Sequence, residues 1–302
     1  MWILYSILAS ILQTFRNSFQ RGLMASAGVW AATWVRFAFG APLTLIVLLL
    51  IISFSHPYGG IASPKVFWIS VFVGGLTQVL ATAALLKAMH SSSFAIGSTL
   101  QHTSLLIAAI FGVVVLGDHL DKQAWIGMFI STIGLVFATW PKSSGGQENW
   151  SKSLMGGFWG LVSGICFSVS VNSARAGTLA IEHQANFYSS TLAVFAVQTA
   201  QAIGLGIYLY FFNRSQFNMA LKSWRESLSA GGAGASASII WFLALAMVPA
   251  ALAKSVNLLV EAPVSILMGY IKFKERPSLV KIAAITLIVM GVIMTVLAPK
   301  IA

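Results

Sequence analysis

The chain has 302 residues, of which 58% are hydrophobic and only 8% charged, whereas about a quarter of the residues of a soluble domain are charged. This deficit excludes an ordinary globular enzyme. The formal net charge of +11 does not indicate nucleic-acid binding, because Lys and Arg lie mostly in short loops between apolar runs, as is typical beside anionic lipid headgroups.

Apolar runs of about 20 residues, each long enough to cross a bilayer as a helix, recur along the whole chain. The first run begins at Trp2 with no basic leader and no cleavage site after it, so we interpret it as a retained helix rather than a signal peptide. The sequence predicts an all-α polytopic membrane protein whose ten transmembrane helices cover residues 2–20, 28–54, 66–89, 93–116, 123–140, 153–177, 185–212, 228–247, 250–271 and 279–298.

The first two segments place basic and aromatic side chains within the membrane. Arg16 lies on a polar face of the first segment, although its position near the helix end also suits the membrane interface. Arg36 lies about eight residues inside the second segment, with Trp34 beside it. Arginine at that depth is uncommon. We expect Arg36 or Arg16 to bind a substrate carboxylate, or Arg36 to pair with Glu261.

Further polar side chains lie in the fourth and sixth segments. Ser98, Gln101 and His102 form one polar stripe on the fourth segment. His102 either lines a cavity or makes a hydrogen bond within the packed bundle. The sixth segment has a glycine ladder, typical of close helix packing, followed by Asn172 as another candidate binding residue. The small residues of 229–238 likewise predict a small-sided face on the eighth segment, suited to close packing or to sliding.

The ninth segment contains Glu261, the one deep carboxylate among the seven acids of the chain. It lies about a dozen residues past the preceding loop, roughly 17 Å at helical rise and therefore near mid-bilayer. A carboxylate at that depth should face water or a partner. Lys254 and Asn257 share its helix face, and Pro263 leaves a backbone carbonyl without its helical donor. Binding of substrate, binding of a proton by Glu261 and a purely structural pairing are the alternatives.

The two halves of the chain resemble each other. Residues 113–138 align with 271–298, which matches Asp118 with Glu275 and Gly134 with Gly291. Five helices are an odd number of crossings, so the second copy must insert upside down. The sequence therefore predicts two inverted five-helix repeats, 1–145 and 146–302, and such repeats are the architecture of secondary transporters.

The chemistry of other classes is missing from the sequence. It contains no phosphate-binding G-x-x-x-x-G-K-[ST] loop, no H-E-x-x-H and no Cys/His cluster with ligand spacing. We therefore expect no enzyme activity, no metal and no cofactor. The positive charge of the odd-numbered loops predicts that these loops are cytoplasmic and both termini outside.

The chain resembles the drug/metabolite transporter superfamily, specifically its EamA-type ten-helix exporters. The resemblance rests on "VVVLGDHL" (113–120), "EAPVSILMGYIKFKER" (261–276) and "WVRFAFGAP" (34–42). It implies a central cavity surrounded by helices one to four and six to nine, and export by alternating access. It also implies a structural role for Asp118 and Glu275, and cytoplasmic termini, which disagrees with the loop charges. Leu106 stands where the second half has Pro263.

These features together favour a multi-pass secondary transporter of the cell inner (plasma) membrane. We expect it to export small polar or zwitterionic, amino-acid-like metabolites, with Glu261 suited to an ammonium group or a coupling proton. Exporters of cationic or lipophilic compounds, organic-anion carriers and non-transporting helper subunits remain alternatives. The expected partners are a small-molecule substrate and the lipid bilayer, with the protein a monomer or homodimer.

Overall fold

The computed structural model describes residues 1–55, 60–91, 104–139, 150–182, 186–273 and 279–298. Apolar segments in lipid satisfy their backbone polar groups within a helix, and α-helices dominate these ranges. They are α1 (Trp2–Ala27), α2 (Val29–Ala38), α3 (Gly40–Ser55), α4 (Pro64–Ser91), α5 (Ser104–Leu116), α6 (Lys122–Thr139), α7 (Trp150–Glu182), α8 (Phe187–Phe212), α9 (Arg214–Lys222), α10 (Trp224–Met247), α11 (Ala250–Phe273) and α12 (Leu279–Val296).

The all-helical class predicted from the sequence is confirmed, and the chain is a multi-pass membrane protein. Each predicted segment overlaps a helix within the ranges that the structure describes. Within the described ranges, five helical stretches are both long and apolar enough to cross a bilayer. The full set of ten spans and the inverted repeats stay predictions. The five spans are Val29–Phe54, Pro64–Ser91, Met155–Glu182, Phe187–Phe212 and Trp224–Met247.

Two local features are not given by the predicted segments. The segment 28–54 corresponds to one apolar stretch of membrane length, Val29–Phe54, but α2 ends at Ala38 and α3 begins at Gly40 within it. Pro42 has no N–H to donate to the carbonyl of Ala38, which favours this break. The connection between the predicted segments 185–212 and 228–247 contains the short helix α9 and the first turn of α10.

The helices form two compact units. The first unit consists of Met1–Val79 and Val169–Val248, and the second of Leu80–Ser168 and Pro249–Ala302. Each unit draws on both halves of the chain, and α4 and α7 contribute to both. These units are defined by packing, not by sequence repetition, so the repeat boundary near residue 145 stays a prediction.

In the first unit, α10 packs against the break between α2 and α3. A Cβ added to Gly231 would lie 2.6 Å from the Cβ of Phe39 and 3.0 Å from the backbone nitrogen of Gly40. Only a residue without a side chain allows this approach. At this contact the small-sided face predicted at 229–238 is used for close packing. Across the same unit, the Gln20 amide nitrogen donates to the Ala32 carbonyl oxygen at 2.8 Å and joins α1 to α2.

The short helix α9 is fixed to the turn between α1 and α2. Gly28, which connects those helices, has a φ of 87°, in the left-handed region that favours glycine. A Cβ there would lie 2.8 Å from the side chain of Gln216. The Gln216 side-chain oxygen also accepts from the Ala31 N–H at 3.4 Å. Gln216 therefore anchors α9 to the turn between α1 and α2.

In the second unit, α6 and α12 approach until their backbones touch. A Cβ on Gly134 would lie 2.8 Å from the Ala284 carbonyl oxygen, and Gly127 and Gly291 face each other in the same way. The apolar core around this helix pair also takes side chains from α5 and α11. Its buried members are Leu105, Ala109, Ala124, Met128, Leu135, Ala251, Leu258, Ile288 and Val292.

Candidate functional site

Two arginines from different helices lie side by side in the first unit. Arg16 of α1 and Arg36 of α2 are each only 3% exposed. A Cβ added to Gly234 of α10 would lie 3.3 Å from the Cδ of Arg16 and 3.3 Å from the Cγ of Arg36. Both side chains therefore run over the same small residue. Arg16 is therefore buried within the protein, and its role in binding stays a prediction.

Arg16 is oriented by its neighbour in the chain. Its Nε and Nη2 donate to the Oδ1 of Asn17 at 3.2 Å and 2.7 Å. Two donors of the planar guanidinium thus hold one amide oxygen, which fixes the plane of the group. Arg36 is held differently, with its guanidinium carbon 5.2 Å from the centre of the Phe37 ring. Such fixed guanidinium groups suit recognition of a planar carboxylate.

Trp34 occupies a packing position in the same unit. Its indole N–H donates to the Ala202 carbonyl oxygen at 2.9 Å, and its ring centre lies 4.9 Å from that of Phe217. Gly206 provides the space, since a Cβ there would lie 2.9 Å from the indole nitrogen. These contacts fasten α2 to α8 and α9. Substrate binding by Trp34 stays a prediction, and the indole N–H is already used within the protein.

Asn172 lies on the part of α7 that belongs to the first unit and is only 1% exposed. Its neighbour Ser173 faces Gly74 of α4, where an added Cβ would lie 2.9 Å from the serine Cβ. Close packing of α4 on α7 thus holds the backbone on which Asn172 stands. Its role in binding stays a prediction.

The sequence interpretation missed a polar stripe on α8. The Thr44 hydroxyl donates to the Gln198 Oε1 at 2.8 Å. The Gln201 Nε2 donates to the Gly75 carbonyl oxygen and to the Gln78 Oε1, both at 2.9 Å. In the part of the chain that the structure describes, the Nε2 of Gln198 and the Oε1 of Gln201 have no hydrogen-bond partner. The signal was present in the sequence as two glutamines three residues apart in an apolar helix.

The second unit holds the predicted charged face of α11. Lys254, Asn257 and Glu261 are 5%, 3% and 1% exposed. The charges of Lys254 and Glu261 interact electrostatically, as expected for residues separated by two helical turns. The helix continues through Pro263. Lys254 is therefore a buried neighbour of the carboxylate and does not reach out to water from the helix start.

Two predicted site residues, Gln101 and His102, lie outside the described residues. Among the described ranges, the structure brings together no group of three His, Cys, Asp or Glu side chains that could hold a metal ion. Of the predicted set, the first unit contains Arg16, Trp34, Arg36 and Asn172, and the second contains Lys254, Asn257 and Glu261.

The apolar helices of membrane length in the described ranges define a multi-pass α-helical membrane protein. Residues 1–140 match the family model described as the EamA-like transporter family. This match confirms the resemblance predicted from the sequence, and it indicates a membrane transporter.

The fold is similar to that of a solved protein whose description gives no function. That crystal structure has a TM-score of 0.67 and 17% identity, and the similarity covers 98% of this chain and 96% of the other. At this identity the likeness concerns the fold alone. No curated protein sequence matches the chain.

Proposed function

We propose that the protein is a secondary active transporter of the cell inner (plasma) membrane that exports small zwitterionic, amino-acid-like metabolites by alternating access. The observation that carries the proposal is the pair of buried arginines on Gly234. Arginine side chains buried in a membrane protein are uncommon and mark candidate substrate sites. A substrate carboxylate suits them because it accepts charge-assisted hydrogen bonds from a guanidinium group.

The second unit supplies a charge of the opposite sign. Glu261 is almost fully buried on the same helix as Lys254. A carboxylate in such a place suits an ammonium group or a proton. The presence of both signs of charge at membrane depth favours a zwitterion over a neutral solute. We propose Glu261 as the group that couples proton movement to export.

An organic anion is the second candidate substrate. Arg16 and Arg36 would bind a carboxylate whether or not the same molecule carries an amine, so the arginine pair alone favours both classes. The difference lies in Glu261, which a substrate without a positive charge does not need. An amine without a carboxylate would in turn need Glu261 and not the arginines.

The test is ligand-induced thermal stabilisation of the purified protein, followed by counterflow in proteoliposomes with the ligands that stabilise it. The panel consists of amino acids, the corresponding decarboxylated amines and the corresponding acids without the amino group. We expect stabilisation by amino acids and weaker or no stabilisation by the other two sets. Stabilisation by the amines alone would favour a cation exporter, and stabilisation by the acids alone an organic-anion carrier. Either result would contradict the proposal.

A further inference from the structure

An open groove runs along the first unit between α4 and α8. It has a volume of about 280 Å³ and lies between residues 71–79 of α4 and residues 200–208 of α8. Eight residue steps of helix correspond to about 12 Å, which is most of the roughly 15 Å of hydrocarbon in one leaflet. The length of the groove therefore matches one acyl chain within one leaflet.

The rim of the groove is a lipid-facing surface. Phe72 and Leu76 on the α4 side are 72% and 52% exposed, and both helices are long and apolar enough to cross a membrane. Exposed aromatic and aliphatic side chains of a spanning helix contact hydrocarbon. Gly204 opens the groove on the α8 side, since nothing lies within 4 Å of an added Cβ.

The end of the groove at Tyr208 lies close to the start of α9, which is a basic, amphipathic helix. Tyr208 lines the groove and lies four residues before the end of α8. Its hydroxyl is 3.5 Å from the Nδ2 of Asn213, the residue that precedes α9. Arg214, the first residue of α9, is exposed and lies 4.6 Å over the Tyr210 ring. Lys222 and Arg225 follow as exposed cations. Aromatic and basic side chains in this arrangement are typical of the headgroup region.

We propose that the groove is a binding site for an anionic phospholipid, with one acyl chain between α4 and α8 and the phosphate at Arg214. The length and apolar lining of the groove suit an acyl chain, and the cations of α9 suit the negative charge of the headgroup. Hydrocarbon competes for any apolar surface in a membrane. Selective binding therefore depends on shape in the groove and on charge at its end.

Native mass spectrometry of the purified full chain tests the two parts separately. The probes are dioleoyl phosphatidylglycerol and dioleoyl phosphatidylcholine, which have the same chains and different headgroup charge. Gly204→Leu places a side chain in the groove without a clash, and we expect it to weaken the first bound lipid of either kind on the order of tenfold, because it removes packing with the chain. Arg214→Gln should lower the preference for phosphatidylglycerol by about fivefold, because one basic residue near the headgroups contributes about that much.

The chain offers a matched control for the groove variant and another for the headgroup variant. Gly157→Leu adds the same side chain to α7, also into open space, and Lys65→Gln removes an exposed cation near the start of α4. Both should bind as the unchanged protein does. Ala200→Leu, at another exposed position in the groove, replaces Gly204→Leu if that variant does not fold.

Three results would overturn the proposal. Unchanged lipid binding in both groove variants would remove the acyl-chain site. A preference for phosphatidylglycerol that survives Arg214→Gln would remove the headgroup contact. A loss of dimer mass in the groove variants with lipid binding intact would assign the groove to a second copy of the chain.

Discussion

The hydroxyl of Ser131 donates a hydrogen bond to the carbonyl oxygen of Ile288 at 3.3 Å. These residues are each other's equivalents in the alignment that matches Gly134 with Gly291. Two inverted repeats would bring a residue into contact with its own equivalent at the axis between them. The contact agrees with the predicted repeat, which stays a prediction.

The neighbouring contacts of α6 and α12 are reciprocal under the same alignment. Gly127 lies against Gly291, and Gly134 lies against Ala284, while the alignment pairs Gly127 with Ala284 and Gly134 with Gly291. Exchanging the two halves therefore turns one contact into the other. The helices run antiparallel, so this local axis is perpendicular to them, as in inverted repeats. These contacts support the proposal of alternating access.

Replacing Gly291 by alanine should destabilise the protein by about 1–3 kcal/mol, because the added methyl group meets backbone and not a flexible side chain. The atoms in its way are the Gly127 carbonyl oxygen and Ser131. Unfolding in detergent would measure the change. Gly157→Ala in open space is the control and should be neutral or slightly stabilising. Equal stability of Gly291→Ala and this control would contradict the contact.

The Trp34→Phe variant distinguishes a packing role of Trp34 from a role in substrate binding. Phenylalanine keeps a ring against Phe217 but removes the donor to the Ala202 carbonyl oxygen. We expect a loss of about 0.5–1.5 kcal/mol in stability, with transport per folded molecule unchanged. Trp68→Phe, at an exposed position, controls for the loss of a tryptophan. If substrate affinity falls and stability does not, Trp34 binds substrate.

The sequence predicts the helical class well, because an apolar run of about twenty residues in a bilayer satisfies its backbone hydrogen bonds by forming a helix. It fails at α9, whose nine residues Arg214–Lys222 are too short and too polar to register as a periodic helix. That helix depends on tertiary contacts, chiefly Gln216 at Gly28. The break between α2 and α3 also involves a tertiary contact, because Gly231 of α10 packs against Phe39 at the break.

The candidate site is harder to predict than the fold. Depth along a segment identifies Arg36 and Glu261 as unusual, because the cost of burying a charge depends mainly on depth, whereas Arg16 lies near the end of its predicted segment. Depth does not reveal that the two arginines share Gly234, a contact between residues separated by two hundred positions in the chain. Gln198 and Gln201 are not predicted as site residues, because an uncharged amide in an apolar run is a weaker signal of function than a buried charge.

Arg36→Gln and Arg16→Gln should each weaken the binding of a carboxylate substrate by about tenfold to a hundredfold, the range for a lost charge-assisted hydrogen bond. Ligand-induced stabilisation of each purified variant would measure this. Arg36→Lys should recover part of the affinity, because it restores the charge without the bidentate geometry. Arg225→Gln at an exposed position is the control. Undiminished affinity in both buried variants would exclude the arginine pair from binding.

Glu261→Gln decides between a coupling role and a structural one. The amide keeps the shape of the side chain but cannot take up or release a proton. If Glu261 couples protons to export, the variant should lose transport driven by a pH gradient and keep at most substrate exchange. Proteoliposomes assayed with and without a pH gradient would measure both activities. Glu226→Gln, at an exposed position on α10, should leave both unchanged.

The electrostatic interaction between Glu261 and Lys254 makes stability a necessary second readout. Glu261→Gln leaves the Lys254 charge without this anionic neighbour, which should destabilise the protein by several kcal/mol if the charge stays buried. Adding Lys254→Met removes that charge and should recover most of the stability. The double variant then tests coupling in a stable protein. We expect it to remain insensitive to a pH gradient, because the proton-binding group is still absent. A double variant, or Glu261→Gln alone, that transports with the original pH dependence would show that Glu261 serves only to pair with its neighbours.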